Sequence, residues 1–201
     1  LQYSVLLTEK GEYEKAKAVL DGHRFHTYEG GEGNLTQHHA WLYLLRGLVE
    51  KDAKKRTEIL ESGLVFPLNY GEEKNYFVND APLYYALATT DGAVSTKFLG
   101  DAVSTKGAPT IHSYWQTLAY RARGEESRAI GLANEMIAIG ENRIENADVN
   151  DYYGVGSPAY PPFGYDIVKA HVLTGSMMCA FGHLARGEKE KAIAYASDAR
   201  K

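Results

Sequence analysis

One spacing recurs along this chain and restricts its fold more than any other feature: an apolar helical stretch, a glycine, and an alanine five residues later inside a second helical stretch. It occurs in Tyr3–Leu20 with Gly11 and Ala16, in Trp115–Ala129 with Gly124 and Ala129, and in Ser176–Ala199 with Gly187 and Ala192. Glycine ends the first helix in the left-handed conformation without a Cβ penalty. Alanine marks the point where the second helix crosses closest to the first, because a larger side chain would push the axes apart. Neither half buries its apolar face alone, so the copies must stack into an all-α array.

Two further copies are degenerate. One runs from about Leu35 to Pro67, and its turn region, Glu50 to Ala53, has no glycine. Asn34 followed by Gln37 gives it a start resembling a capping box. The other begins at Asp80-Ala-Pro82, turns at Asp91-Gly92 and ends by Pro109, with Lys97 where the alanine is expected. Three connections are longer than a plain repeat needs: Gly22 to Gly33, Asn69 to Val78, and Gly140 to Phe163. Their aromatic and glycine content favours ordered loops over one edge of the array.

Composition narrows the function classes. The chain is 44% hydrophobic and 24% charged with a net charge of −4, and its acids and bases are interspersed. No basic stripe is present, which argues against nucleic acid as a partner. Apolar runs such as Trp41 to Leu45 are too short to span a bilayer. The single cysteine, Cys179, rules out an intrachain disulfide and sits in an apolar run, where a buried structural thiol is expected. With no secretion signal a cytoplasmic setting is expected. The chain opens with Leu1 in helical material and reads as a piece of a longer one.

The Gly/Tyr/Ala spacing resembles the tetratricopeptide repeat (TPR), strongly in the first, fourth and fifth copies and weakly in the second and third. The loop stretches Arg24-Phe-His26-Thr-Tyr-Glu29-Gly-Gly-Glu32-Gly33, Phe66-Pro67-Leu-Asn69-Tyr-Gly71-Glu72 and Asp151-Tyr-Tyr153 resemble a bacterial family in more detail. In that family a TPR array follows an N-terminal β domain related to galactose-mutarotase-like sandwiches. Members commonly carry Pro-Trp where this chain has Thr27-Tyr28. The resemblance implies a TPR-like right-handed superhelix of about five helix pairs with long ordered loops, formed by residues 1–201 as one repeat domain.

Candidate binding residues fall in two groups. In the first loop, Arg24, His26, Glu29 and Glu32 surround a Gly-Gly bend that could aim both carboxylates at one point. An Arg–Glu network that simply pins the loop is the stronger reading. In the TPR register, Tyr114, Leu118 and Arg121 lie on the inner face of the fourth pair, and Met177 and Phe181 on that of the fifth. They could line a groove for a peptide, a loop or a neighbouring domain, although simple packing of Tyr114 and Phe181 between helices is the stronger reading. The pairs His23/His26 and His38/His39 lack the i, i+4 spacing of a helical zinc motif, so no metal is expected and the histidines are taken as solvated or capping. No nucleophile elbow appears, and neither a catalytic residue nor a cofactor is expected.

The expectation is therefore a scaffold or protein-interaction module that packs against a β domain of its own chain or a peptide. An accessory role in a carbohydrate-active enzyme is the alternative, and self-association into a homodimer a third possibility. The chain is not expected to be an enzyme by itself.

Overall fold

Three tight turns set the architecture. Gly11, Gly124 and Gly187 carry φ of 74°, 78° and 78°, a conformation open to glycine and costly to residues with a Cβ. Each reverses the chain between two helices: α1 (Gln2–Glu9) and α2 (Tyr13–Asp21), α7 (Ser113–Ala122) and α8 (Glu126–Glu145), α9 (Ile167–Ala185) and α10 (Lys189–Asp198). The alanines expected at the crossings are buried: Ala16 and Ala129 are fully inaccessible and Ala192 nearly so.

The computed structural model describes residues 1–26, 31–74, 78–90, 94–149, 152–153, 157–158 and 166–199. Its remaining α-helices are α3 (Asn34–Val49), α4 (Ala53–Ser62), α5 (Ala81–Thr89) and α6 (Thr96–Ser104). Consecutive helices pair α3 with α4 and α5 with α6. Among the described residues the protein is all-α apart from a 3-10 turn, Leu68–Tyr70, and a two-residue antiparallel pair, β1 (Tyr152–Tyr153) with β2 (Ser157–Pro158). The chain divides into two compact units, Leu1–Gly107 and Ala108–Lys201. The turn expected at Asp91-Gly92 lies outside the described residues.

The core of the first unit gathers Leu7, Ala16, Leu20, Leu35, Leu42 and Tyr70, flanked by Tyr13, Val19, Phe25 and Phe66. The missing glycine in the second copy is replaced by a cap: the Lys55 amide donates to Asp52 Oδ1 at 2.8 Å and starts α4. Lys97 is exposed, while Leu99 and Ala102 face inward, so the third copy is shifted from the alanine register.

Three sequence expectations are corrected here. The start of α3 is not capped by Asn34 and Gln37. Gly33 is the N-cap residue, at φ 80°, and the Glu72 carboxylate accepts from the Gly33 and Thr36 amides at 3.2 and 3.3 Å. A carboxylate there satisfies orphan donors and the positive helix end together.

The third connection does not begin at Gly140, because α8 continues to Glu145. A Cβ on Gly140 would lie 2.6 Å from both the Gly175 carbonyl oxygen and Cys179 Sγ, and one on Gly175 2.7 Å from the Gly140 oxygen. A Cβ on Gly182 would lie 2.9 Å from the Ala133 oxygen. Ala133/Gly140 and Gly175/Gly182 are each seven residues apart, so α8 and α9 meet backbone to backbone along a seam of small residues.

The histidine pair is not solvated. His39 is 1% exposed, its Nδ1 lying 2.8 Å from the Tyr70 hydroxyl and its Nε2 3.2 Å from the Ser62 carbonyl. A carbonyl only accepts, so Nε2 carries the proton and Nδ1 accepts from Tyr70. His38 is half-buried, with Nε2 3.0 Å from Ser4 Oγ. Their diverging directions follow from the 100° step of the helix.

Candidate functional site

Two surfaces bear on function, one in each unit. In the first, the segment after α2 is strapped down by the segment around the 3-10 turn. The Phe25 amide donates to the Asn69 carbonyl at 2.8 Å, and Asn69 Nδ2 donates to the Leu20 and His23 carbonyls at 2.9 and 2.7 Å. Gly71, at φ 70°, lies against the Phe25 carbonyl, where a Cβ would stand 3.0 Å away. Behind the strap, the rings of Phe25 and Tyr70 meet edge to face at 5.8 Å.

Beside it is a hollow of about 570 Å³ whose lining includes Tyr3, Phe25, His26, Asn34, Tyr70 and Glu72. Arg24, His26 and Glu32 are exposed, and Glu29 lies outside the described residues. Of the described loop residues singled out from sequence, His26 borders the hollow, and Arg24 and Glu32 do not line it. Asn69 and Glu72, whose side chains organise this region, escaped that reading. Both stand in the Pro67–Glu72 stretch that carried the resemblance, but their partners lie 36 to 49 residues away and leave no local signal.

The second surface lies on α9 and α10. Met177, Ala180, Phe181 and Leu184 of α9 face Ala192, Ile193, Ala196 and Ala199 across a groove of about 450 Å³, with Lys189 at its edge. Ile193 is 66% exposed and Leu184 39%. Water thus meets a nearly continuous apolar trough. Phe181 is held from behind: its ring centroid lies 5.5 Å from Tyr114 and 6.0 Å from Trp115, and those two rings stand 5.4 Å apart at 83°.

Tyr114, Met177 and Phe181 therefore belong to one surface and its support. Arg121 is engaged elsewhere, pairing with Glu126 across the Gly124 turn at 3.1 Å. Leu184, Ile193 and Ala196 were missed in sequence. The signal was available, since Met177, Phe181 and Leu184 repeat at four and three residues.

The polar side of this hairpin satisfies itself. Glu188 accepts from His183 Nδ1 at 2.7 Å and pairs with Arg186 and Lys191 at 2.7 and 3.3 Å. The hydrogen bond from His183, with the two cations, holds its carboxyl below the usual range. His183 in turn stacks on Tyr195 at 5.4 Å.

Cys179 is fully buried, and burial pushes its thiol up to about 11, so it is an inert packing residue rather than a nucleophile. Among the described residues no group of three or more His, Cys, Asp or Glu is placed to hold a metal ion. No described helix is long and apolar enough to cross a membrane. No protein-family model matches the chain, and no solved structure matches it.

Proposed function

We propose that this chain is a TPR-like scaffold, five stacked helix pairs forming a right-handed superhelix that holds another polypeptide. The observation that carries the reading is the open apolar groove of α9 and α10, backed by the Tyr114–Trp115–Phe181 aromatic group. Positive-φ glycine turns and alanine crossings in three hairpins support the TPR likeness. The proposed partner is a β domain of its own chain, of the kind the loop resemblance implies. The exposed residues Arg24, His26 and Glu32 offer it polar contacts.

Calorimetry against such a β domain, produced separately, tests this. Binding weakened by Arg24→Ala and Glu32→Ala identifies the loop as the docking surface, and binding weakened by Ile193→Asp identifies the groove. Absence of heat with the unaltered chain removes the own-domain reading.

A second reading, an accessory role in a carbohydrate-active enzyme, draws on the hollow beside His26. It combines aromatic rings with hydrogen-bonding side chains, the mixture a polyol requires. Ligand-observed NMR with a monosaccharide panel decides it. Saturation transfer abolished by Asn34→Ala supports the reading, and no transfer from any sugar overturns it.

A further inference from the structure

Residues 69–74 form a strap that ties α2, α3 and α5 together through polar side chains. Asn69 holds the Leu20 and His23 carbonyls at the end of α2. Tyr70 bonds His39 within α3, and Glu72 accepts from the Gly33 and Thr36 amides at its start. Lys74 pairs with Asp80, the residue that precedes α5. The two Glu72 bonds are long, at 3.2 and 3.3 Å, so they depend on the strap being held on both sides of them.

On the α5 side the strap is held by a poorly satisfied charge. Asp80 is 1% exposed. Its Oδ2 accepts from Lys74, while its buried Oδ1 has no hydrogen-bond partner among the described residues. Asp80 makes no side-chain bond to the helix it precedes, and the Ala81 amide donates to Asn79 instead, at 3.0 Å. Tyr84 of α5 lies in the field of Asp80 and Lys74, and Asp101 of α6 acts on the same phenol. Among the described residues no charged group of α3 or α4 acts on Asp80, and Lys74 alone opposes the effect of its burial. A buried carboxylate with one oxygen unmatched favours its neutral form, and burial raises the Asp80 carboxyl above its ordinary 3.8. The Lys74 side chain is 46% exposed, so its ammonium returns to water readily once the opposing charge is gone.

We propose that Lys74–Asp80 is a proton-operated fastener: neutralising Asp80 releases the strap from α5 and slackens the Glu72 cap on α3 while the helices stay folded. Tyr70 and Glu72 line the hollow beside His26, so acid loosens one wall of that hollow. The sign separates this fastener from an ion pair that holds the fold together. With the Asp80 carboxyl raised in the fold, the folded chain takes up this proton before the unfolded chain does. Its uptake therefore favours the folded state as pH falls toward 3.8.

Amide hydrogen exchange of the full chain, followed by NMR and corrected for the intrinsic rate at each pH, tests this. The Gly33 and Thr36 amides report the strap, and the amides of fully buried Leu42 and Leu44 in α3 report opening of the whole unit. At pH 7, Asp80→Asn imitates the neutral acid. It is expected to lower protection at Gly33 and Thr36 about fivefold, the upper range for an exposed ion pair, and to leave Leu42 and Leu44 as protected as before or more so. As pH is lowered toward 4.5 the unaltered chain reaches the same released state, so the gap between the two proteins narrows. Lys74→Gln, at an exposed position, also lowers protection at Gly33 and Thr36, and lowers it at Leu42 and Leu44 as well, because the buried carboxylate is left unpaired.

Unchanged protection at Gly33 and Thr36 in either variant overturns the proposal. Loss at all four amides in Asp80→Asn, or failure of that variant to fold, makes the pair a plain structural tie and overturns the fastener. A gap that stays constant down to pH 4.5 shows that no proton on Asp80 operates the strap, and overturns it too.

Discussion

His39 shows how one buried side chain writes a pH dependence into the fold. Burial lowers its pKa to about 4 from an ordinary 6.5, and burial lowers His38 and His112 to about 4 in the same way. Between pH 6.5 and 4 the unfolded chain takes up protons that the folded chain refuses. Stability is therefore full above about 6.5 and declines as pH falls through this window, by about 3 kcal/mol for His39 alone at its lower end. Urea unfolding at pH 7 and pH 4.5 measures the decline, and His39→Gln, which cannot titrate, is expected to reduce it.

Glu72 and Arg24 make a second pair of expectations. Glu72→Ala strips the cap from α3 and should cost about 1 kcal/mol, whereas exposed Arg24→Ala should shift stability by less than about 0.5 kcal/mol. Equal losses in thermal denaturation would point to the Arg–Glu network as what fixes the loop. Sequence pointed to this loop but not to Asn69 and Glu72. Arg24 and Glu32 attract notice because they are charged and close in sequence, while Asn69 and Glu72 act across long separations that only the fold creates.

Among the elements, α8 and α9 are distinguished by the absence of side chains where they cross. Helix propensity alone favours alanine over glycine by about 1 kcal/mol. Gly131→Ala, on the open side of α8 with nothing within 4 Å, should collect that gain. Gly140→Ala and Gly175→Ala should instead lose about 1–3 kcal/mol through overpacking. Opposite signs on one helix, read by chemical denaturation, isolate the contact; matching gains would show that the helices separate freely.

The turn glycines were legible because their effect is local, a reversal of the chain within a few residues. Gly140 was read as a loop start because glycine interrupts helices by default, and only the facing Gly175 reveals its purpose. The capping exchange at α3 is a similar case, since Asn34 and Gln37 fit a local pattern and the distant Glu72 supplies the bond.

For the molecule as a whole, the all-α character and the helix pairing could be read from the repeat, but the division into two compact units could not. Repeats describe what each hairpin needs from the next, and the places where that succession changes carry no motif. Cys179, the chain's single thiol, gives a readout of global opening in the second unit. Inaccessible, and with burial holding its pKa near 11, it should react with a thiol reagent only through unfolding. The labelling rate is expected to rise in step with urea unfolding; rapid reaction in native buffer would mean the seam opens locally.

The seam also has a consequence in heredity. Every single-nucleotide missense change in a glycine codon introduces a residue bearing a Cβ, and at Gly140, Gly175 and Gly182 that carbon has nowhere to go. These codons have no conservative neighbour one step away. Mutation can drift through the exposed faces of α8 and α9 by small steps, while along their line of contact it finds only silence or damage.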